Sequence, residues 1–430
     1  MLESSPALHR VYAFLFSPEG GGWGYPFLGL PGIDAFLVSA GVIAVAIAMV
    51  HVAVRYISTR ETLALVVLIV VACGAQLALR SLAPHSLGAV VEHRGANGFL
   101  EVARAYSPAQ LLSAFHEIAA TLPMHARANL PGKTLLFHAL LGVASSTQVL
   151  GVLIVLLSTC GGALVYFLAR EWSGSRAVAV YAFAFYVFMP ARSYFMPVMN
   201  VMTPVFLLVP LCLLEVYLRT RRTWLLAAAG AASYWLILFE PLPLIAAPIA
   251  LAQVVRRVRA RHIAKTDAVR ALLYPVLIVA AIHLAMRLLV GFDTVAAFLT
   301  AWEDARRFNA ANERPYGLWA FHNVKDALLH AGVGQAALFL IGLALLPRRR
   351  SGFDGVAWLI ATLAFVFVML AVLGINRGET VRLWIFLGVL LQIAAASICA
   401  SRPRLGDAVL ALAVVQVGLL LPAVGWVMLD

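Results

Sequence analysis

Glu92, His93 and Arg94 open a polar stretch of about forty residues, EHRGANGFLEVARAYSPAQLLSAFHEIAATLPMHARANLPGK, in a chain that is otherwise soluble in hydrocarbon. A carboxylate at the mouth of a cavity between helices loses hydration and its pKa tends to rise. Glu92 would then suit a general base that takes a proton from an acceptor hydroxyl. The plainer alternative is a solvated loop acid. His125, Arg127 and Lys133 close the same stretch, and Pro131-Gly132 turns the chain just before the apolar run TLLFHALLG. Cationic side chains beside the free N–H groups of a helix start suit a phosphate or pyrophosphate. Snorkelling to lipid headgroups is the competing explanation.

Two further places hold charge where it is costly, and a third is rich in aromatic residues. Arg377, Glu379 and Arg382 lie in NRGETVR, with Arg382 at the start of the apolar run VRLWIFLGVLL. An arginine near membrane depth needs a partner or a cavity. Glu379 and Arg382, three apart, can pair on a helix and form either a structural bridge or part of a phosphate clamp. Glu240 sits within LILFEPLPL as a cavity-facing carboxylate or the cap of a helix break. Between 292 and 327, aromatic residues mix with acids and amides around Trp302 and Trp319, which suits sugar recognition. An interfacial aromatic belt is the stronger expectation for Trp319 and Phe321.

The elements that must position these groups are membrane helices. Of 430 residues, 63% are hydrophobic and 12% charged, where a soluble chain carries about 25% charged. Mean hydropathy is +0.92. Apolar runs of about twenty residues match the bilayer core, and backbone groups in lipid must be satisfied within each segment. The fold class is therefore all-α and polytopic. The runs do not alternate apolar with polar, which excludes a barrel. Twelve spans are expected: 35–57, 62–82, 148–170, 175–191, 195–218, 222–240, 241–256, 270–291, 328–347, 355–374, 381–400 and 407–428. They form one transmembrane domain over 35–430, preceded by an interfacial segment at 1–34 that contains Trp23, Tyr25 and Phe27 and lacks the apolar region of a signal peptide. The polar insert occupies 83–133 and a second outer loop 292–327. Within the insert, Leu111, Leu112, Phe115, Ile118 and Leu122 define an apolar helical face after Ser107-Pro108, expected to lie on the membrane surface.

The net charge of +12 does not indicate nucleic acid, because the basic residues are spread over short turns between spans. Such turns set topology. Arg55, Arg60, Arg170, Arg176, Arg219, Arg221, Arg222, Arg256 to Arg261, Lys265, Arg270, Arg348 to Arg350, Arg402 and Arg404 fall on one side and assign it to the cytoplasm. The insert, the 292–327 loop and the turn at 376–380 fall on the other, with most of the acids, among them Glu101, Glu303, Asp304 and Glu313. Both termini fall on that outer side. Cys73, Cys160, Cys212 and Cys399 lie inside apolar spans, with no disulfide framework or metal-ligand spacing. No phosphate-binding glycine loop is present, so nucleotide chemistry is not expected.

An acid at the start of the first outer loop, then GFLEVAR, a surface helix and LPMHARANLPGK, resembles the GT-C superfamily of polytopic glycosyltransferases. Within it, the pattern resembles the branch related to protein mannosyltransferases and aminoarabinose transferases. Many bacterial members carry an HxxxHPPG-like sequence where this chain has His125-Ala-Arg-Ala-Asn-Leu-Pro-Gly-Lys, and NRGETVRLW is similar to an RGExxRxW pattern of uncharacterised actinobacterial members. The span 35–57 is extra to that layout. The resemblance implies a multi-pass protein of the bacterial inner membrane whose active face is outside. It implies a polyprenyl-phosphate-linked sugar donor and a lipid, glycan or protein acceptor, with no nucleic-acid partner. The superfamily's catalytic base is an acid of the first outer loop, usually Asp. The match here is Glu92, with Glu101 as rival. Arg94, His125, Arg127, Lys133, Glu240, Arg377, Glu379 and Arg382 are the expected substrate-binding residues. Such a transfer needs no soluble cofactor; a divalent metal is compatible with it but not signalled. A transporter or flippase of a lipid-linked or anionic substrate is the alternative.

Overall fold

The computed structural model describes residues 25–312, 314–348, 354–374 and 376–427. Trp23 and most of the 1–34 segment, Glu313, Arg349, Arg350 and the end of the 407–428 span lie outside the described residues. Each of the twelve expected spans overlaps helical chain, and 328–347 is divided between two helices. In chain order these are α1 (Ile33–Tyr56), α2 (Glu61–Arg80), the short insert helices α3 (Leu87–Glu92), α4 (Arg94–Asn97), α5 (Phe99–Ala105), α6 (Pro108–Ser113), α7 (Phe115–Ile118), α8 (Met124–Arg127) and α9 (Gly132–Leu141), then α10 (Thr147–Ser173), α11 (Arg176–Val187), α12 (Pro190–Tyr194), α13 (Thr203–Thr220), α14 (Trp224–Phe239), α15 (Ala247–Arg259), α16 (Lys265–Ala285), α17 (Thr294–Ala311), α18 (Tyr316–Ala331), α19 (Val333–Leu345), α20 (Gly355–Leu373), α21 (Thr380–Leu383), α22 (Ile385–Cys399) and α23 (Pro403–Ala423). Among the described residues seven helical segments are long and apolar enough to cross a bilayer, and the pair α18 and α19 makes an eighth if counted as one span. The other four expected spans fall on α11, α14, α15 and α22, which have 12, 16, 13 and 15 residues and are shorter than that, so among the described residues seven or eight bilayer-length spans stand where twelve were expected.

The core is built on α10, α11 and α22. Val178 through Val187 are all buried, as is nearly every residue of α22. Helices apolar all round are what a central position in a membrane bundle requires. At the opposite extreme, α16 leaves Val269, Leu273, Val276 and Leu277 exposed. The residues of its apolar window are none of them buried, so its hydrocarbon faces the lipid side. Inside the bundle the guanidinium of Arg192, fully buried on α12, donates to Ser158 Oγ, Thr159 Oγ1 and the Val187 carbonyl, each at 2.9 Å. It lies 4.7 Å from the centroid of the Tyr186 ring. The guanidinium nitrogens, each bonded to a neutral oxygen, and the Tyr186 ring beside them tie α10, α11 and α12 together.

The arginine-rich turns are more than topology signals. Glu215, buried on α13, accepts from Trp172 Nε1 at 2.8 Å and pairs with Arg257 at 2.7 Å. Glu171 pairs with Arg219 at 3.2 Å, and Asp267 with Arg221 at 3.4 Å. These bridges join the ends of α10, α13, α15 and α16 on the side away from the insert.

Three expectations are corrected. The helix after Ser107 starts as expected, with Ser107 and Gln110 forming a reciprocal cap and Pro108 in the first turn. It breaks at Ala114, where the chain turns so that Phe115 packs edge-on to Phe292 at 5.5 Å and His116 stacks on the same ring. Leu111, Phe115 and Leu122 are buried in protein, so the apolar face docks on the chain itself rather than lying on lipid. The 292–327 segment is not a loop but two helices, α17 and the start of α18. The span 328–347 breaks at Gly332, whose φ of +114° lies in the left-handed region, and α18 meets α19 at 112°. The 13 residues of α19 rise about 20 Å, short of a bilayer core of about 30 Å.

Candidate functional site

The insert reaches the bundle at Gly132. A Cβ there would stand 2.5 Å from the carbonyl carbon of Leu238 and from the backbone nitrogen of Phe239, closer than any side chain tolerates. Only glycine permits this approach of α9 to the end of α14. The contact brings Lys133, the next residue, to Glu240, which leaves α14 in extended conformation. Lys133 Nζ lies 3.2 Å from Glu240 Oε2 and donates to Asn129 Oδ1 at 3.0 Å. The Phe99 and Phe239 ring centroids are each 5.6 Å away. Glu240 Oε2 also accepts from Thr203 Oγ1 at 2.6 Å and from Asn200 Nδ2 at 3.4 Å. The two side chains are 2% and 7% exposed, so this ion pair is dehydrated.

A second charged group meets the first. The turn Asn376 to Thr380 is clasped by the region leading into α18. Arg314 Nη1 donates to the Arg377 carbonyl, and Arg377 Nη1 donates to the Arg314 carbonyl at 3.0 Å. Asn323 Oδ1 accepts from the Gly378 N–H at 3.2 Å, and Asn323 Nδ2 donates to the Asn376 carbonyl. Glu379 holds φ of +59°, unusual for a residue with a Cβ. Its carboxylate pairs with Arg382 and lies 3.5 Å from Arg314 Nη2. The expected i, i+3 pairing of Glu379 and Arg382 is present, with Arg314 as a third member.

His125 joins the two groups. It sits on α8 and hydrogen-bonds the Gly95 backbone; Arg382, Glu379 and Lys133 all act on it electrostatically. Burial, with the Arg382 charge next, holds its pKa down to about 4. It is neutral at pH 7, which corrects its expected role as a cation: it can donate or accept a hydrogen bond but supplies no charge. Burial likewise pushes the Lys133 ammonium down, opposed by Glu240 and assisted by Arg382. Lys133 thus pairs with Glu240, and Arg314 and Arg382 with Glu379, while the Arg377 guanidinium is held by the Arg314 carbonyl.

The remaining expected site residues lie on the surface of the insert. Glu92 ends α3 with its side chain 62% exposed and 3.4 Å from Arg104. It is open to water rather than dehydrated at a cavity mouth, as expected from its place after the second span. Arg94 pairs with Glu101 at 3.1 Å, both more than half exposed. Arg127 reaches Asp304 of α17 at 3.4 Å and ties the insert to the second outer segment. Trp319 is buried beneath the Arg314 guanidinium instead of standing in an interfacial belt, while Phe321 is exposed. Sequence reasoning missed Arg314, Asn323, Thr203 and Asn200. Arg314 carries the signal that marked Arg382, an arginine at the entry of an apolar helix; the other three are neutral and carry none.

The fold and this charge cluster define a helical polytopic membrane protein with a polar site where its insert meets the bundle. No known protein family matches the chain, and no curated protein matches it. Among solved structures it is similar to the arabinosyltransferase EmbB from Mycobacterium smegmatis, with 18% identity and a TM-score of 0.43. That match covers 79% of this chain and 34% of the EmbB chain, so the chain spans about a third of that protein's length.

Proposed function

We propose that the chain is a membrane glycosyltransferase that moves a sugar from a polyprenyl-phosphate donor to a hydroxyl acceptor at the outer face of the membrane. The observation that supports it is that four basic side chains, Lys133, Arg314, Arg377 and Arg382, gather around only two carboxylates, Glu240 and Glu379, in a largely dehydrated cluster. A phosphate leaving group is a weak base and needs charge neutralisation more than a proton. Guanidinium groups held by Glu379 and backbone carbonyls would offer charged N–H donors to its oxygens. The sequence pattern around Glu92 and LPMHARANLPGK supports the same reading through its resemblance to GT-C enzymes.

Glu92 is the proposed base. It takes the proton from the acceptor hydroxyl, whose oxygen attacks the anomeric carbon from the face opposite the leaving phosphate. The bond from that carbon to the phosphate oxygen breaks, and the phosphate departs with the electron pair, giving inversion. The exposure of Glu92 leaves it accessible to an acceptor arriving from solution or from the lipid surface.

The test is transfer of radiolabelled sugar from a polyprenyl-phosphate donor pool by membranes carrying the wild type or Glu92→Gln. A general base contributes on the order of a hundredfold to ten-thousandfold. A loss of that size with normal expression supports the assignment. Unchanged transfer moves the base to Glu101 or Glu240. Failure of the wild type with every donor favours transport of a lipid-linked anion instead.

A further inference from the structure

The helix α17, Thr294–Ala311, has two faces of opposite fate. Residues 297, 301, 304 and 308 follow at intervals of four, three and four, and so share one face. Ala297 is buried there. Asp304 pairs with Arg127 of the insert at 3.4 Å, and the Phe308 ring centroid lies 4.7 Å from the Arg314 guanidinium. Residues 295, 299, 302 and 306 repeat the same spacing on the opposite face. Val295, Leu299 and Trp302 are exposed, with exposed Phe298 beside them. Arg306 continues the stripe with its side chain 71% exposed. A contiguous apolar stripe left uncovered by its own chain marks a contact surface.

The start of α17 is fixed beside the end of α16. Asp293 caps α17 by accepting from the Val295 and Ala296 N–H groups at 3.0 Å, and it pairs with Arg287, just past α16, at 3.4 Å. Leu288 and Leu289 are strongly exposed at this junction, and the apolar window of α16 before them has no buried residue. The stripe of α17 therefore continues a surface that already faces lipid. Along it the chemistry changes from hydrocarbon to the indole of Trp302 and then to guanidinium. Arg306 and Arg307 share the Glu303 carboxylate, at 3.6 and 3.4 Å, which leaves that end positive. Acyl chains, an aromatic layer and anionic phosphates follow in the same order across a membrane interface.

We propose that α17 lies in the membrane interface on the insert side, with Val295, Phe298, Leu299 and Trp302 among acyl chains and Arg306 and Arg307 on lipid phosphates. The lipid-lying role expected of the helix after Ser107 falls to α17 instead. Its protein face touches Arg127 and Arg314, so the bilayer surface sets the height of segments that hold the charged cluster. This placement holds whether that cluster serves transfer or transport.

The experiment uses the full-length chain carrying Val295→Cys, Leu299→Cys or Arg307→Cys. Each is placed in phosphatidylglycerol nanodiscs at one copy per disc, where both membrane faces are open to solvent. The probe is a membrane-impermeant maleimide. The native cysteines Cys73, Cys160, Cys212 and Cys399 lie in the spans, so the wild type gives the background. Maleimide attacks the thiolate, which forms in water and not among acyl chains, so positions 295 and 299 should label roughly tenfold or more slowly than position 307. Two stripe positions keep the test valid if one variant folds poorly. Arg306→Glu, which sets a carboxylate against the phosphates, should raise the Leu299→Cys rate; an unchanged rate refutes the phosphate contact. Equal rates at 299 and 307 place the stripe in water and overturn the proposal. Protection found only in discs holding two copies means that a second copy covers the stripe, and overturns it equally.

Discussion

The sharpest consequence of the structure concerns Lys133→Met. Lys133 and Glu240 stand 3.2 Å apart at 2% and 7% side-chain exposure, and no bulk water reaches them. Methionine fills nearly the same volume but carries no charge. Glu240 would keep Thr203 and Asn200 as donors and lose its cation. Removing one partner of a buried pair costs about 3–5 kcal/mol, because the surviving charge stays buried and uncompensated. Replacing both partners by neutral groups is far milder, so Lys133→Met with Glu240→Gln should recover much of that loss. Residues in direct contact show coupling of about 0.5–3 kcal/mol, and this pair belongs at the upper end of that range. The assay is thermal unfolding of the four proteins in one detergent at one scan rate, since membrane proteins often unfold irreversibly and the midpoint then depends on rate. The single variant should lose several degrees, and the double variant should lie above the sum of the two singles. A Lys133→Met midpoint within ~1 °C of wild type, or strict additivity, would refute the view that this pair is dehydrated and mutually dependent.

Other outcomes follow from the same geometry. Gly132→Ala should destabilise by about 1–3 kcal/mol or more, since its Cβ would meet the Leu238 and Phe239 backbone, which cannot rotate away; unfolding midpoints check it. His125 has a pKa held at about 4 in the folded chain, below its ordinary value. The unfolded chain therefore binds a proton that the folded chain refuses, and stability should fall as pH drops from about 6.5 towards 4, by on the order of 2 kcal/mol. His125→Gln should flatten that stretch of the profile, and an unchanged profile would count against the burial of His125. Arg192→Lys should cost several kcal/mol despite keeping the charge, because an ammonium cannot meet Ser158, Thr159 and Val187 in the planar arrangement of a guanidinium. Comparison with Arg192→Met separates loss of shape from loss of charge.

The charged half of the candidate site was legible because membrane proteins place charge in apolar surroundings only under constraint. Glu240 and Arg382, with Glu379 as its partner, were singled out on that ground, Lys133 as a cation at a helix start, and each is held in the cluster. What could not be read was their mutual placement. The contact between α9 and α14 depends on the absence of a side chain at Gly132, and the grip of Arg314 on the 376–380 turn joins segments far apart in sequence. The surface of the insert misled for a related reason. Glu92 follows an apolar span, which made a dehydrated setting plausible, but α3 carries it out to water and to Arg104.

The broken helix after Ser107 shows the deeper limit. Its apolar face was correctly placed at Leu111, Phe115 and Leu122, and its cap at Ser107 was correct to the residue. Periodicity reports which side chains leave water. It does not report what replaces the water, because a lipid tail and the ring of Phe292 are equally acceptable to Phe115. Only the ring has a fixed position, and meeting it edge-on required the chain to turn at Ala114. In a soluble protein an apolar face has one destination, the core. In this chain every such face has two, so hydropathy locates helices well but decides their partners poorly. The polar insert is where that ambiguity matters most, since the docking of α6 and α7 onto Phe292, with Arg127 bridging to Asp304, fixes the insert to the second outer segment. A charged site that depends on both segments is thus assembled by contacts that no local pattern encodes.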